Sequence, residues 1–184
     1  MRSNLLFHQK TGSMRHFFIG LITVLCCLSF SADAQSSTDS LPPYRKYKQL
    51  PAFQVVMPDS SRVFNSYNIR KGKPSVLIMF SPDCSHCEQL AGMLLDSIRA
   101  FRDVNIIMAS PFPLAEIRSY IAKTKIDQAA QIVIGKDASY FFWSFYKADT
   151  VPFIAVYDKN KTFVSTVTHL KSIDELLEVL KPLQ

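Results

Sequence analysis

The sequence predicts an α/β domain built on a mixed sheet, and three observations carry that expectation. Residues 75–80 form a mostly apolar run bounded by Pro74 and Pro82, with the length and flanks of a buried strand. That run leads through Ser81-Pro82-Asp83-Cys84-Ser85-His86-Cys87 into a stretch with Leu90, Met93/Leu94, Ile98 and Phe101 on one stripe, the signature of a helix packed on a sheet. Further on, two strand-like runs joined by Asp158-Lys159-Asn160-Lys161 read as a hairpin before a last helix.

The chain of 184 residues is long enough for one domain with a proper core, but its first part differs from the rest. Met14-Arg15-His16 precedes an uncharged apolar run over residues 17–30, then Ser31-Ala32-Asp33-Ala34-Gln35. A basic start, a short apolar region and an A-x-A site after Ala34 predict a signal peptide over residues 1–34, removed on export. The run is shorter than the ~18 residues expected of a membrane span, so an uncleaved anchor is the lesser reading. Neither Cys26 nor Cys27 follows a small residue, which argues against a lipoprotein start.

Residues 35–49 are polar, rich in Ser and Pro and without period, and predict a flexible spacer. The folded domain is expected over residues 50–184. Phe53-Gln54-Val55-Val56 and Arg62-Val63-Phe64 flank the turn signal Pro58-Asp59-Ser60-Ser61, giving an N-terminal β-hairpin extension. Residues 104–109 are a second buried strand. Leu114, Ile117 and Ile121 mark a helix running to about residue 126, and residues 131–134 a short extended piece. Asp137 is placed to cap an aromatic helix holding Tyr140, Phe141, Phe142, Trp143 and Phe145. These rings suit a core or groove wall better than a stacking surface for nucleic acid. Residues 153–157 and 162–168 are the hairpin strands, and Ser172-Ile173-Asp174-Glu175 is a capping box. The resulting order is βαβα(α)ββα.

Charge points to no nucleic-acid partner. Without Arg2, Lys10, Arg15 and Asp33, the 21 basic and 15 acidic side chains become 18 and 14, a modest surplus. Its two clusters, Arg45-Lys46-Tyr47-Lys48 and Arg70-Lys71-Gly72-Lys73, read as a solvated tail and a turn. Membrane contact is expected only through the signal segment, were it retained.

Cysteine usage is more informative. Cys26 and Cys27 leave with the signal, and the exported chain keeps only Cys84 and Cys87. One pair at CxxC spacing in an exported chain suits thiol–disulfide exchange better than a scaffold. The first thiol lies at the free N–H groups and positive dipole end of a helix, which favours thiolate. The second lies one turn on, placed to attack a mixed disulfide formed by the first. A zinc site needs four ligands, and the other histidines His8, His16 and His169 are scattered, so no metal or cofactor is expected. A static disulfide of this spacing closes too small a loop to stabilise much.

These residues resemble a known family. The strand–CxxC–helix, the Thr150-Val151-Pro152-Phe153 segment before a hairpin and the terminal helix are similar to the thioredoxin fold. Leu50-Pro51-Ala52-Phe53 and Gly72-Lys73-Pro74 before the central strand most resemble the TlpA/ResA-like extracytoplasmic branch. The resemblance covers residues 50–184. It implies a thioredoxin fold with a central mixed sheet flanked by helices, and a periplasmic thiol–disulfide oxidoreductase, more a reductase than an oxidase. It casts Cys84 as the attacking thiol, Cys87 as the resolving one, and Pro152 as a cis-proline leaving the Val151 backbone free to pair with a client strand. Its partners would be protein disulfide or thiol clients and a redox partner that resets the pair.

The chain also departs from that family. Asp83 replaces the usual aromatic before the first cysteine and is expected to oppose the helix dipole at Cys84. Ile78 replaces a buried acid that assists the resolving thiol, leaving Glu88 a weak substitute. His86 sits as in DsbA-like Cys-Pro-His-Cys motifs, where it can favour the thiolate, but Ser85 stands where those have proline. Two alternatives stay open at this point. Ser81-Pro82-Asp83-Cys84 offers half of a peroxiredoxin motif, although the upstream proline is Leu77. Cys84 and Cys87 with His169 could hold Cu(I) in a metallochaperone.

Overall fold

The computed structural model describes residues 41–183. The signal peptide expected over residues 1–34, and the spacer as far as residue 40, lie outside the described residues. Seven strands form one mixed sheet in the order β2-β1-β5-β4-β3-β6-β7. They are β1 (Gln54–Val56), β2 (Val63–Asn65), β3 (Ser75–Met79), β4 (Asn105–Ser110), β5 (Ile132–Lys136), β6 (Phe153–Tyr157) and β7 (Phe163–Thr168). The helices are α1 (Pro43–Lys46), α2 (Ser85–Asp96), α3 (Leu114–Thr124), α4 (Phe141–Tyr146) and α5 (Ile173–Leu180). Among the described residues, no helix is long and apolar enough to cross a membrane.

β3 pairs parallel with β4 and antiparallel with β6, and all five of its residues are buried. Burial on both faces is why it reads as a continuous apolar run rather than an alternation. Its pleat sends Val76 and Ile78 to one core layer, with Leu90 and Leu94 of α2, Ile117 and Tyr120 of α3, and Leu176 and Leu180 of α5. Leu77 and Met79 face the other layer, with Tyr44 of α1 and Phe142 and Tyr146 of α4. Each such side chain contributes roughly 1.5–3 kcal/mol of transfer free energy. β3 is thereby fixed on both sides before it releases the chain toward Cys84.

Several expectations are corrected. The spacer was expected to run to residue 49, yet Pro43 starts a helical turn and Tyr44 is 5% exposed. Tyr44 packs its ring against Tyr146, Phe153 and Phe163, so the basic run Arg45-Lys46-Tyr47-Lys48 is tethered rather than a solvated tail. A backbone hydrogen bond from Phe163 N–H to Lys48 O (2.7 Å) and one from Leu50 N–H to Lys161 O (2.8 Å) tie this segment down. The extended piece near residue 131 is a full strand, β5, between β4 and β1. Gly135 makes that neighbourhood feasible, because a Cβ there would lie 2.3 Å from Val56 O.

Asp137 does cap the aromatic helix, from four residues upstream: its buried carboxylate accepts from Phe141 N–H (3.0 Å) and Phe142 N–H (2.8 Å). Tyr140 therefore stands outside α4, in left-handed backbone at φ 55° and exposed. Ser172 precedes α5 in extended backbone, but its side chain makes no capping hydrogen bond, so the predicted capping box is not formed.

Candidate active site

Cys84 is the N-cap of α2, with φ −88° and ψ 114°. That extended geometry turns its side chain back over the first turn, where the sulfur accepts the Cys87 N–H at 3.2 Å. The same N–H also donates to the Cys84 carbonyl oxygen at 3.0 Å, so this amide of the helix start is shared between backbone and sulfur. The Cys84 thiol points to the Val151 carbonyl oxygen at 3.6 Å, across 67 positions of sequence. Val151 precedes Pro152 through a cis peptide, and Pro152 lies just before β6. Because β6 pairs beside β3, this segment is delivered next to the cysteines.

Cys87 is fully buried among the residues under the sheet, whereas Cys84 is only half-buried. Burial pushes the Cys87 thiol well above its ordinary range, helped by its hydrogen-bonded neighbour Cys84 and by the Asp83 charge. The two sulfurs are therefore unequal. Cys84 has access and an amide donor, while Cys87 is held as a protonated thiol one turn behind it.

The remaining expected residues are distributed around this pair. Ser85 and His86 are exposed on the first turn of α2, and Asp83 is exposed with its carboxylate accepting from the buried Ser81 hydroxyl. Glu88, considered as a proton acceptor for Cys87, instead pairs with Lys123 of α3 at 2.6 Å. His169 and His86 line one groove with Val151 and Pro152. Among the described residues no group of three His, Cys, Asp or Glu side chains could hold a metal, so Cys84, Cys87 and His169 do not assemble the Cu(I) set.

Sequence reasoning missed Tyr120. Its hydroxyl donates to the Cys87 carbonyl at 2.8 Å, and its ring lies 4.7 Å from that of Phe80. Burial raises its phenol well above the ordinary range, so it acts as a donor and not as a base. It braces the first turn of α2 against α3. Its position on the inward stripe with Ile117 and Ile121 signals burial, but nothing in the sequence signals the carbonyl it meets.

No protein-family model matches the chain. The methylamine utilization protein MauD of Methylophilus methylotrophus is 24% identical over 132 residues, which is 69% of this chain and 60% of that protein. The chain thus spans less than two thirds of the curated relative it matches. A secreted disulfide oxidoreductase of Mycobacterium tuberculosis superposes with a TM-score of 0.59 at 21% identity, over 71% of this chain and 96% of that one. A thiol:disulfide interchange protein of the thioredoxin family from Chlorobium tepidum gives 0.62 at 17% identity, over 79% and 98%. At these identities the likeness to solved structures carries the fold.

Proposed function

We propose that this chain, which has the thioredoxin fold, is a thioredoxin-like, exported thiol–disulfide oxidoreductase acting on protein clients in the reducing direction. The observation that carries the reading is the asymmetry of the pair: Cys84 accessible and hydrogen-bonded by the Cys87 amide, Cys87 buried and protonated.

The Cys84 thiolate attacks one sulfur of a client disulfide. A Cys84–client bond forms, the client S–S bond breaks, and the departing client sulfur takes up a proton. Cys87 then gives up its proton and attacks the Cys84 sulfur, releasing the second client thiol and leaving a Cys84–Cys87 disulfide. Two electrons have passed to the client, and an external dithiol resets the pair. In this reading an extended client lies along the Val151 carbonyl, which stands beside the Cys84 sulfur. Pro152 walls that position, and export would place the reaction in the periplasm.

The reading is tested by equilibrating the protein with glutathione redox buffers and by following insulin reduction. A Cys84–Cys87 potential below about −200 mV, with turnover of insulin, is the expected result. A value near that of DsbA would move the protein to the oxidases, and turnover of hydrogen peroxide without insulin reduction would make it a peroxidase.

A further inference from the structure

The groove beside Cys84 encloses about 210 Å³. Pockets for small organic ligands run to roughly 300–1,000 Å³, so this one has room for a side chain or two of a peptide rather than for a cofactor. Its apolar floor includes Met93, Val151 and Leu170, and its rim carries two imidazoles, His86 and His169. No carboxylate lines it.

The imidazoles arrive from separate elements. His86 stands on the first turn of α2, between the cysteines. His169 follows β7, whose register pairs Thr168 with Phe153 and so brings His169 beside Pro152. It holds left-handed backbone at φ 57°, a conformation uncommon for a residue other than glycine, and this turn lets it line the groove.

On the other side of α2 the chemistry is reversed. Glu88 lies about 150° around the helix from the stripe of His86, Gln89, Leu90 and Met93. It joins Asp83 and Glu116 along a separate cleft whose cationic side chain is Lys123. Cys84 therefore stands between a face that offers N–H donors and a face that carries carboxylates.

We propose that this sidedness selects the client: the groove takes the residue flanking the client's reactive cysteine and favours a side chain with an apolar stem and a carboxylate end, glutamate above all. The carboxylate oxygens accept hydrogen bonds from the His86 and His169 ring N–H groups, while the stem lies on Met93 and Leu170. The same glutamate on the opposite flank of the cysteine meets Asp83 and Glu116, with Glu88 already paired to Lys123, and the net negative charge of that cleft opposes it. Clients are thus distinguished by which side of the cysteine bears the acid. The inference rests on the disulfide-exchange reading.

The test uses short peptide disulfides identical except for one residue, Glu, Gln or Lys, placed immediately before or immediately after the cysteine. The rate of their reduction by the dithiol protein is measured. In one of the two positions Glu should react about five- to tenfold faster than Gln, with Lys slowest, as expected for charge-assisted hydrogen bonds at an accessible site. In the other position Glu should be the slowest of the three. His169→Asn, which tolerates the left-handed backbone, should bring Glu and Gln within twofold at the favoured position, and His169→Lys should restore the preference. Rates within twofold for all peptides, or an equal preference for Glu on both flanks, would overturn the sidedness and leave disulfide exchange standing. Failure to reduce any peptide would overturn the exchange reading itself, and this inference with it.

Discussion

The two ends of β3 lie one short strand apart and differ in how fully their polar groups are partnered. Before its first residue, the buried Asn105 side chain accepts from Arg70 N–H (3.2 Å) and Arg70 Nε (3.1 Å), and donates to Arg70 O (3.1 Å) and Pro74 O (3.2 Å). Arg70 Nη2 donates to Val104 O at 2.7 Å, and Lys161 Nζ donates to Arg70 O and Ser75 Oγ. Beyond its last residue stand two free thiols, one held by an amide at 3.2 Å and pointed at a carbonyl at 3.6 Å. A polar group whose hydrogen bonds are complete stabilises the fold and resists chemistry. A sulfur with one amide donor and open access is free to react. On the proposed reading, the difference places stability and reactivity at opposite ends of one rigid element.

That separation can be broken from either end. Cys84→Ser should abolish disulfide exchange altogether, while urea unfolding of the reduced protein changes by less than about 0.5 kcal/mol, since the site is only half-buried. Loss of folding along with activity would show that the reactive end also supports the fold. The converse is Asn105→Ala, which orphans several buried groups at once. It should cost about 2–4 kcal/mol in urea unfolding yet leave the Cys84–Cys87 potential where it was. A shifted potential would show that the two ends are coupled through β3.

The smallest effect is a pH dependence at Lys161. Burial, with the Arg70 charge nearby, lowers its ammonium pKa from 10.5 to about 8. The folded chain then holds fewer protons than the unfolded chain between these values, so the Lys161 contribution makes stability rise with pH through that window. Lys161→Met should flatten this slope between about pH 8 and 9.5, measured by urea unfolding of the oxidised protein so that the thiols do not titrate. An unchanged slope would mean that Lys161 remains solvated.

Much of this arrangement was legible in the residues. Two-sided burial makes β3 a continuous apolar run, and a helix must begin where Pro82 and the polar residues after it interrupt that run. The placement of Cys84 and Cys87 at the start of a helix is legible because it depends only on spacing along one helix turn. What was not legible depends on residues distant in sequence. Tyr44 looks like part of a polar spacer until Tyr146, Phe153 and Phe163 surround it. Asn105, Lys161 and Tyr120 look like strand, turn and helix residues, and each acquires its role from a backbone group at least 30 positions away. His169 looked like a stray ligand, and the register of β6 and β7 makes it a groove residue instead.

The central claim is that Cys84 attacks and Cys87 resolves. It is tested most directly by exposing Cys87→Ser and Cys84→Ser proteins to an equimolar protein disulfide and reading the products by intact-mass and peptide mass spectrometry. A stable mixed disulfide at Cys84 in the Cys87→Ser protein, with no adduct at the buried Cys87 in the Cys84→Ser protein, is the predicted result. Adducts at Cys87 and none at Cys84 would contradict it.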